Sequence, residues 1–294
     1  MNKILAVLVL ALYVCGCTRK EAAADRPLLM VSIEPQKWIL EQLVGDDYAI
    51  GTMLDRGANP ETFDPSMEKR LQADKATAYF STGAFPFEES LAKSLPDGTR
   101  IVNTSDGIEP IYGTHSHTHN HTSGHSHGHD CDHHGEAADP HMWTSLKNAR
   151  IIARNMAEAL ADLDSAEAAT VNRRLATLEQ RLDSIDKATA NRLEGASRSF
   201  AIWHPSLSYY ARDYGLNQIA VGQESKEMPA GQVRQVIDNA RNANVKVFFF
   251  QKEYDNRQAE SINSAIGSRM ITIDPLAYDW LGQIELITNE IARP

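Results

Sequence analysis

Nine of the 11 histidines in this 294-residue chain crowd into residues 113–135, GTHSHTHNHTSGHSHGHDCDHHG. They are His115, His117, His119, His121, His125, His127, His129, His133 and His134. Neutral imidazole is a good ligand for zinc, copper and nickel and a poor one for magnesium or calcium. With Asp130, Cys131 and Asp132 among them, these side chains could hold several ions in shifting geometries. Histidine alternating with Ser, Thr, Gly and Asn cannot build a packed core, so the tract reads as a mobile loop. Ordering it around one ion costs conformational entropy. It therefore reads as an auxiliary collector or sensor of metal, and a selective site has to lie elsewhere.

A selective site belongs on rigid scaffold. In parallel α/β sheets, ligands bind at the carboxyl ends of strands. Four ligand-type residues follow the expected strands or stand beside the tract. Glu61 lies in RGANPETFD, residues 56–64, and His141 lies in Asp139-Pro140-His141-Met142-Trp143. His204 precedes Pro205, and Asp274 precedes Pro275. Two imidazoles and two carboxylates can hold zinc tetrahedrally, and they also suit manganese or iron. The two carboxylates would neutralise a divalent ion. Asp64 and Glu253 are rival carboxylates, and Asp139 reads as a hydrogen-bond partner that orients its loop.

The elements that must position these residues fall into two blocks. Apolar runs at 28–33, 48–54, 77–81 and 100–103 read as strands of the first. A helical pattern around Trp38, Leu40 and Val44 stops at Gly45. Runs at 200–203, 218–221, 245–250 and 270–273 read as strands of the second block, with helical patterns between them. Strands alternating with helices imply parallel sheets built from βαβ units. Two ligand candidates come from each block, so a cation held by all four would lie in the cleft between the blocks. Between them, 145–163 reads as a helix. Asp164-Ser165-Ala166-Glu167 then resembles a capping box. Val171, Leu175, Leu178, Leu182, Ile185 and Leu193 recur at helical steps up to Gly195. Such a helix of about 30 residues is roughly 45 Å long and too charged for a core helix, so it reads as a strut between lobes.

The fold class expected is α/β, with two four-stranded parallel lobes, one long linking helix and a metal in the inter-lobe cleft. The expected boundaries are 1–17 for an export signal, 18–26 for a tether, 27–163 for the first lobe with its His-rich loop, 164–195 for the linking helix and 196–294 for the second lobe. The opening MNKILAVLVLALYVCGC has a basic start and an apolar stretch too short to span a bilayer. Val14-Cys15-Gly16-Cys17 resembles a lipobox, with Cys17 as the lipid-modified residue. Cys131 would be the one other cysteine of the mature chain, leaving no intramolecular disulfide. The chain carries 39 acidic against 29 basic residues, a formal charge of −10, which argues against a nucleic-acid partner. No HExxH, GxSxG or P-loop pattern is present, so a metallohydrolase is disfavoured.

In order along the chain stand Glu34-Pro35-Gln36-Lys37-Trp38, Gly57-Ala58-Asn59-Pro60-Glu61-Thr62-Phe63-Asp64-Pro65, Asp139-Pro140-His141-Met142-Trp143, Trp203-His204-Pro205-Ser206-Leu207-Ser208-Tyr209-Tyr210-Ala211 and Ile273-Asp274-Pro275-Leu276. This series resembles the metal-binding receptors of bacterial ABC importers of the ZnuA/TroA type, over nearly the whole mature chain. A His-rich loop just before Asp-Pro-His is similar to the zinc-type members. The resemblance implies that His141 and His204 are ligands and that Asp274 fills the acidic fourth position. The family usually has His in its Pro-His-Thr motif, where this chain has Pro60-Glu61-Thr62, so Glu61 replaces an imidazole or a tract histidine supplies it. The function implied is capture of zinc outside the cytoplasm by a monomeric, lipid-anchored, non-enzymatic receptor that docks on an ABC permease and its ATPase. A manganese or iron receptor of the same fold and a metal-binding adhesin stay open as alternatives.

Overall fold

Buried apolar runs become the inner strands of two sheets in a computed structural model that describes residues 26–113, 137–222, 228–254 and 257–294. The export signal with Cys17, nearly all of the tether and the nine tract histidines lie outside the described residues. The first lobe runs β1 (Leu28–Val31), α1 (Glu34–Val44), β2 (Ala49–Thr52), α2 (Met67–Ala73), β3 (Ala78–Ser81), α3 (Pro86–Ser94) and β4 (Arg100–Asn103). Its four strands are parallel in the order β2-β1-β3-β4. The inner strands LLMV and AYFS are almost wholly buried, as parallel strands covered on both faces must be, and the edge strand RIVN is largely exposed. Gly45 ends α1 with φ 61°, a conformation that costs an L side chain and not glycine.

Two helices follow, α4 (Leu146–Leu163) and α5 (Ala168–Arg192). The second lobe repeats the plan: β5 (Ser199–Ile202), α6 (Ser208–Tyr214), β6 (Asn217–Ala220), α7 (Ala230–Asn242), β7 (Val247–Gln251), α8 (Arg257–Ile266), β8 (Arg269–Ile273) and α9 (Trp280–Ala292). Its four strands are again parallel, in the order β6-β5-β7-β8. The expected α/β class with two four-stranded parallel lobes is thus observed.

The long helix is shorter than the periodicity implies. Helix α5 has 25 residues, about 37 Å at 1.5 Å per residue. Asp164 does not cap it. Asp164 follows the last residue of α4, and its Oδ1 accepts the N–H of Ala166 at 3.0 Å. A short polar side chain satisfies its own local backbone in this way and makes a turn instead of a helix start. One stripe of α5, Val171, Leu178 and Leu182, is buried, and α5 packs on α1, α4 and α9. It therefore touches both lobes. Arg174 on α5 also donates to the carbonyls of Leu43 and Val44 at the end of α1, at 3.2 and 2.9 Å.

A single apolar cluster runs through β1, α1, α4, α5, β5 and α9, so the core is continuous from lobe to lobe. Trp38 of α1 meets Trp280 of α9 edge to face at 6.0 Å, with Arg181 of α5 over the Trp38 ring. Such packing favours small tilts over a wide hinge opening.

Candidate metal centre

The carboxyl ends of both sheets face the seam between the lobes, and the site is built there. His204 stands two residues past the end of β5. Gln251, at the end of the neighbouring β7 and fully buried, holds it by the backbone. Gln251 Oε1 accepts the His204 N–H at 3.1 Å, while Nε2 donates to the His204 carbonyl and, at 2.8 Å, to Ser206 Oγ. A strand-end amide thus fixes the position of the imidazole.

His141 lies in the connection from β4 to α4. The stem residues Tyr112 and Ala138 form an antiparallel bridge, and Asp139 N–H donates to the Ile111 carbonyl at 2.8 Å. Asp139 is fully buried, and its Oδ1 accepts both the His141 backbone N–H and Nδ1–H at 2.9 Å. With Nδ1 protonated toward a carboxylate, Nε2 presents its lone pair to the seam. Burial alone would raise the Asp139 carboxyl, but its hydrogen bonds and electrostatic attraction to His141 outweigh this and hold it well below the usual carboxylate range.

Glu61 lies in the turn after β2, where Asn59 Oδ1 accepts the Glu61 N–H at 2.9 Å. The three side chains converge. His141 Nε2 and His204 Nε2 are 3.3 Å apart, and His204 Nε2 is 3.3 Å from Glu61 Oε1. One donor atom from each of the three lies within 4.8 Å of the others, and no other such group of three occurs among the described residues. For a tetrahedral zinc with bonds of about 2.0–2.1 Å, neighbouring ligand atoms are about 3.3–3.4 Å apart. Two of the three donor spacings therefore match such an ion, and the third is within 4.8 Å.

The remaining carboxylates are placed differently. Asp274 follows β8, with its N–H bonded to Gln283 Oε1 at 2.8 Å, and it is outside the group of three. Glu253, just after β7, lines a cavity that His141 and His204 also line. Burial pushes the Glu253 carboxyl up, the charge of Asp274 adds to this, and His204 opposes it. Asp64 points to solvent, 86% exposed, and pairs with Arg70 at 2.6 Å. The seam beside these three side chains is closed by Trp143, whose Nε1 donates to the Pro275 carbonyl at 2.8 Å, and by Tyr254, whose ring stacks on His204 at 5.4 Å. Neither Gln251 nor Tyr254 was singled out from the sequence. The signal for Gln251 was its polar amide at the end of the apolar run VFFF.

The family model for "Zinc-uptake complex component A periplasmic" matches residues 29–293. The zinc-binding lipoprotein AdcA of Streptococcus pneumoniae strain R6 is 23% identical over 278 residues, which is 90% of this chain and 53% of that protein. The chain thus spans about half the length of the curated relatives of this kind that it matches. A crystal structure of a ZnuA deletion mutant with zinc bound is 27% identical, with a TM-score of 0.79 over 91% of this chain and 97% of that one. A manganese-bound periplasmic metal-binding protein from Candidatus Liberibacter asiaticus shares the fold at 18% identity, with a TM-score of 0.75 over 91% of this chain and 98% of that one. ZnuA-type periplasmic binding proteins are transport receptors and not enzymes. By the match over residues 29–293, this chain belongs to the family of periplasmic A components of zinc-uptake complexes.

Proposed function

We propose that this chain is an extracytoplasmic receptor that captures zinc in the inter-lobe seam and delivers it to a membrane permease driven by an ATPase. The observation that carries this reading is the convergence of His141 and Glu61 from the first lobe with His204 from the second, at 3.3 Å spacings. His141 and His204 act as nitrogen ligands and Glu61 as an oxygen ligand. Asp274, which follows β8, is the fourth ligand. The charges of Glu61 and Asp274 together balance that of a dication, so the ion can be buried without a stranded charge. Cys17 carries the lipid that keeps the receptor at the membrane face, which the lipoprotein AdcA supports by analogy. The His-rich tract acts as an auxiliary collector of ions.

Manganese is the second reading. Glu61 stands where the family resemblance implies a histidine, and Glu253 lines the cavity beside the imidazoles, with the charge of Asp274 close enough to act on it. Oxygen-rich sets suit manganese better than nitrogen-rich ones. The test is elemental analysis of purified protein lacking residues 115–134, followed by competition of zinc against manganese. The receptor reading expects one tightly held ion per chain, with zinc preferred. A protein that retains no divalent ion at micromolar concentration overturns it, and a preference for manganese selects the second reading.

A further inference from the structure

One pair of side chains touches a ligand on each side of the seam. Asn59 Oδ1 accepts the backbone N–H of Glu61 at 2.9 Å, and its Nδ2 donates to the Tyr254 hydroxyl at 3.4 Å. Tyr254 belongs to the second lobe, just after β7. Its ring lies nearly parallel to the His204 imidazole, with centroids 5.4 Å apart and planes at 27°. Both Asn59 and Tyr254 line the cavity beside the imidazoles. A continuous path therefore runs from Glu61 through Asn59 and Tyr254 to His204, across the seam. The bond from Trp143 to the Pro275 carbonyl also crosses it, but it is fully formed at 2.8 Å and ends on backbone.

We propose that Asn59 and Tyr254 are positioning residues that hold Glu61 against His204 and so set how long a captured cation is retained. This rests on the receptor reading above. The physical basis is that Glu61 rides on a loop, whereas His204 is anchored on a strand end. A loop carboxylate stays within reach of an ion on the other lobe only if something ties the loop across. The Asn59–Tyr254 bond is at the long end for N–H···O and half-buried, so it can open without exposing core. Opening it frees Glu61 first and lowers the barrier to release.

The test uses stopped-flow transfer of zinc from the full chain to excess chelator. Wild type, Tyr254→Phe, Asn59→Ala and the double variant are compared. All four keep the same His tract, so differences in the slow phase report the seam. Tyr254→Phe keeps the ring on His204 and removes only the hydroxyl. It should speed the slow phase roughly 2- to 10-fold, the factor for one neutral hydrogen bond. Asn59→Ala should release faster still, because it also loses the Glu61 N–H contact. The double variant should be no faster than Asn59→Ala, since the bond can be lost only once. Thermal midpoints of the metal-free forms should not change. The proposal is overturned if Tyr254→Phe releases at the wild-type rate, if the two effects multiply, or if the midpoints fall in step with retention. A wild type with no slow phase sinks the receptor reading itself, whereas a slow phase that Tyr254→Phe does not move sinks only the clasp.

Discussion

The two lobes share one strand order but use their strand ends differently. In the first lobe the ends of β1 and β3 are tied to each other. Gln36 Oε1 accepts the N–H groups of Ser32 and Ile33, and its Nε2 donates to Thr104 Oγ1. Glu88, 3% exposed, accepts the N–H groups of Thr82, Ala84 and Phe85 and a hydroxyl proton from Ser32. These polar groups are consumed inside the lobe. Its proposed ligands, Glu61 and His141, stand on long connections well past β2 and β4. In the second lobe His204, Glu253 and Asp274 each follow a strand within two residues. The second lobe is thus a fixed platform, and the first presents its candidate ligands on loops. Loop ligands need their own braces, which is why Asp139 and Asn59 are bonded to the residues they serve.

The largest expected effect is loss of an imidazole. His204→Ala or His141→Ala should weaken zinc binding by more than the ~10–100-fold that loss of a ligand's hydrogen-bond partner costs. Isothermal titration of protein lacking the tract measures this, and a loss under tenfold would remove that histidine from the ligand set. Next comes pH. Imidazoles bind metal only when neutral, so affinity should fall as pH drops through about 6.5, where imidazole ordinarily titrates. Titrations at pH 7.5 and 5.5 check it, and equal affinity at both would contradict imidazole ligation.

A sharper test of the lobe contrast pairs two buried polar residues. Gln251→Leu frees the platform histidine and should cost about 10–100-fold in affinity. Glu88→Gln sets an amide N–H against the N–H groups of Ala84 and Phe85 and should cost about 1–3 kcal/mol of stability, with affinity nearly unchanged. Denaturant melts beside zinc titrations separate the two. If Glu88→Gln weakens zinc binding as much as Gln251→Leu, the lobes are not specialised as described. The smallest effects concern the extra carboxylates. Asp274→Asn should weaken binding more than Glu253→Gln, and the reverse order would make Glu253 the fourth ligand. Glu253 holds its proton to higher pH than an ordinary carboxyl. Protonation on acidification therefore removes a negative charge from the seam, and Glu253→Gln should flatten the acid side of the affinity profile. An unchanged profile would take Glu253 out of the seam's electrostatics.

Much of the fold was legible from local pattern. The strand at 100–103 is observed at that span, and Gly45 ends α1 where the helical pattern stops. The start of α5 was not, because Asp164 in a helix-capping register competes with the same residue making its own turn, and periodicity does not separate the two. His141, His204 and Glu61 were legible as ligand types following strands or loops. The ranking of Asp64, Glu253 and Asp274 was not. Asp64 stands three residues from Glu61, yet Arg70 draws it to solvent.

What the chain determines by itself is the succession of strands and helices and the supply of imidazoles and carboxylates, because apolar periodicity and side-chain chemistry are local properties. Which donors meet is decided only when α5 packs on both lobes and brings residues 61, 141 and 204 to one seam. Distances of 3.3 Å between residues so far apart along the chain depend on the relative placement of two sheets, and no local pattern encodes that placement.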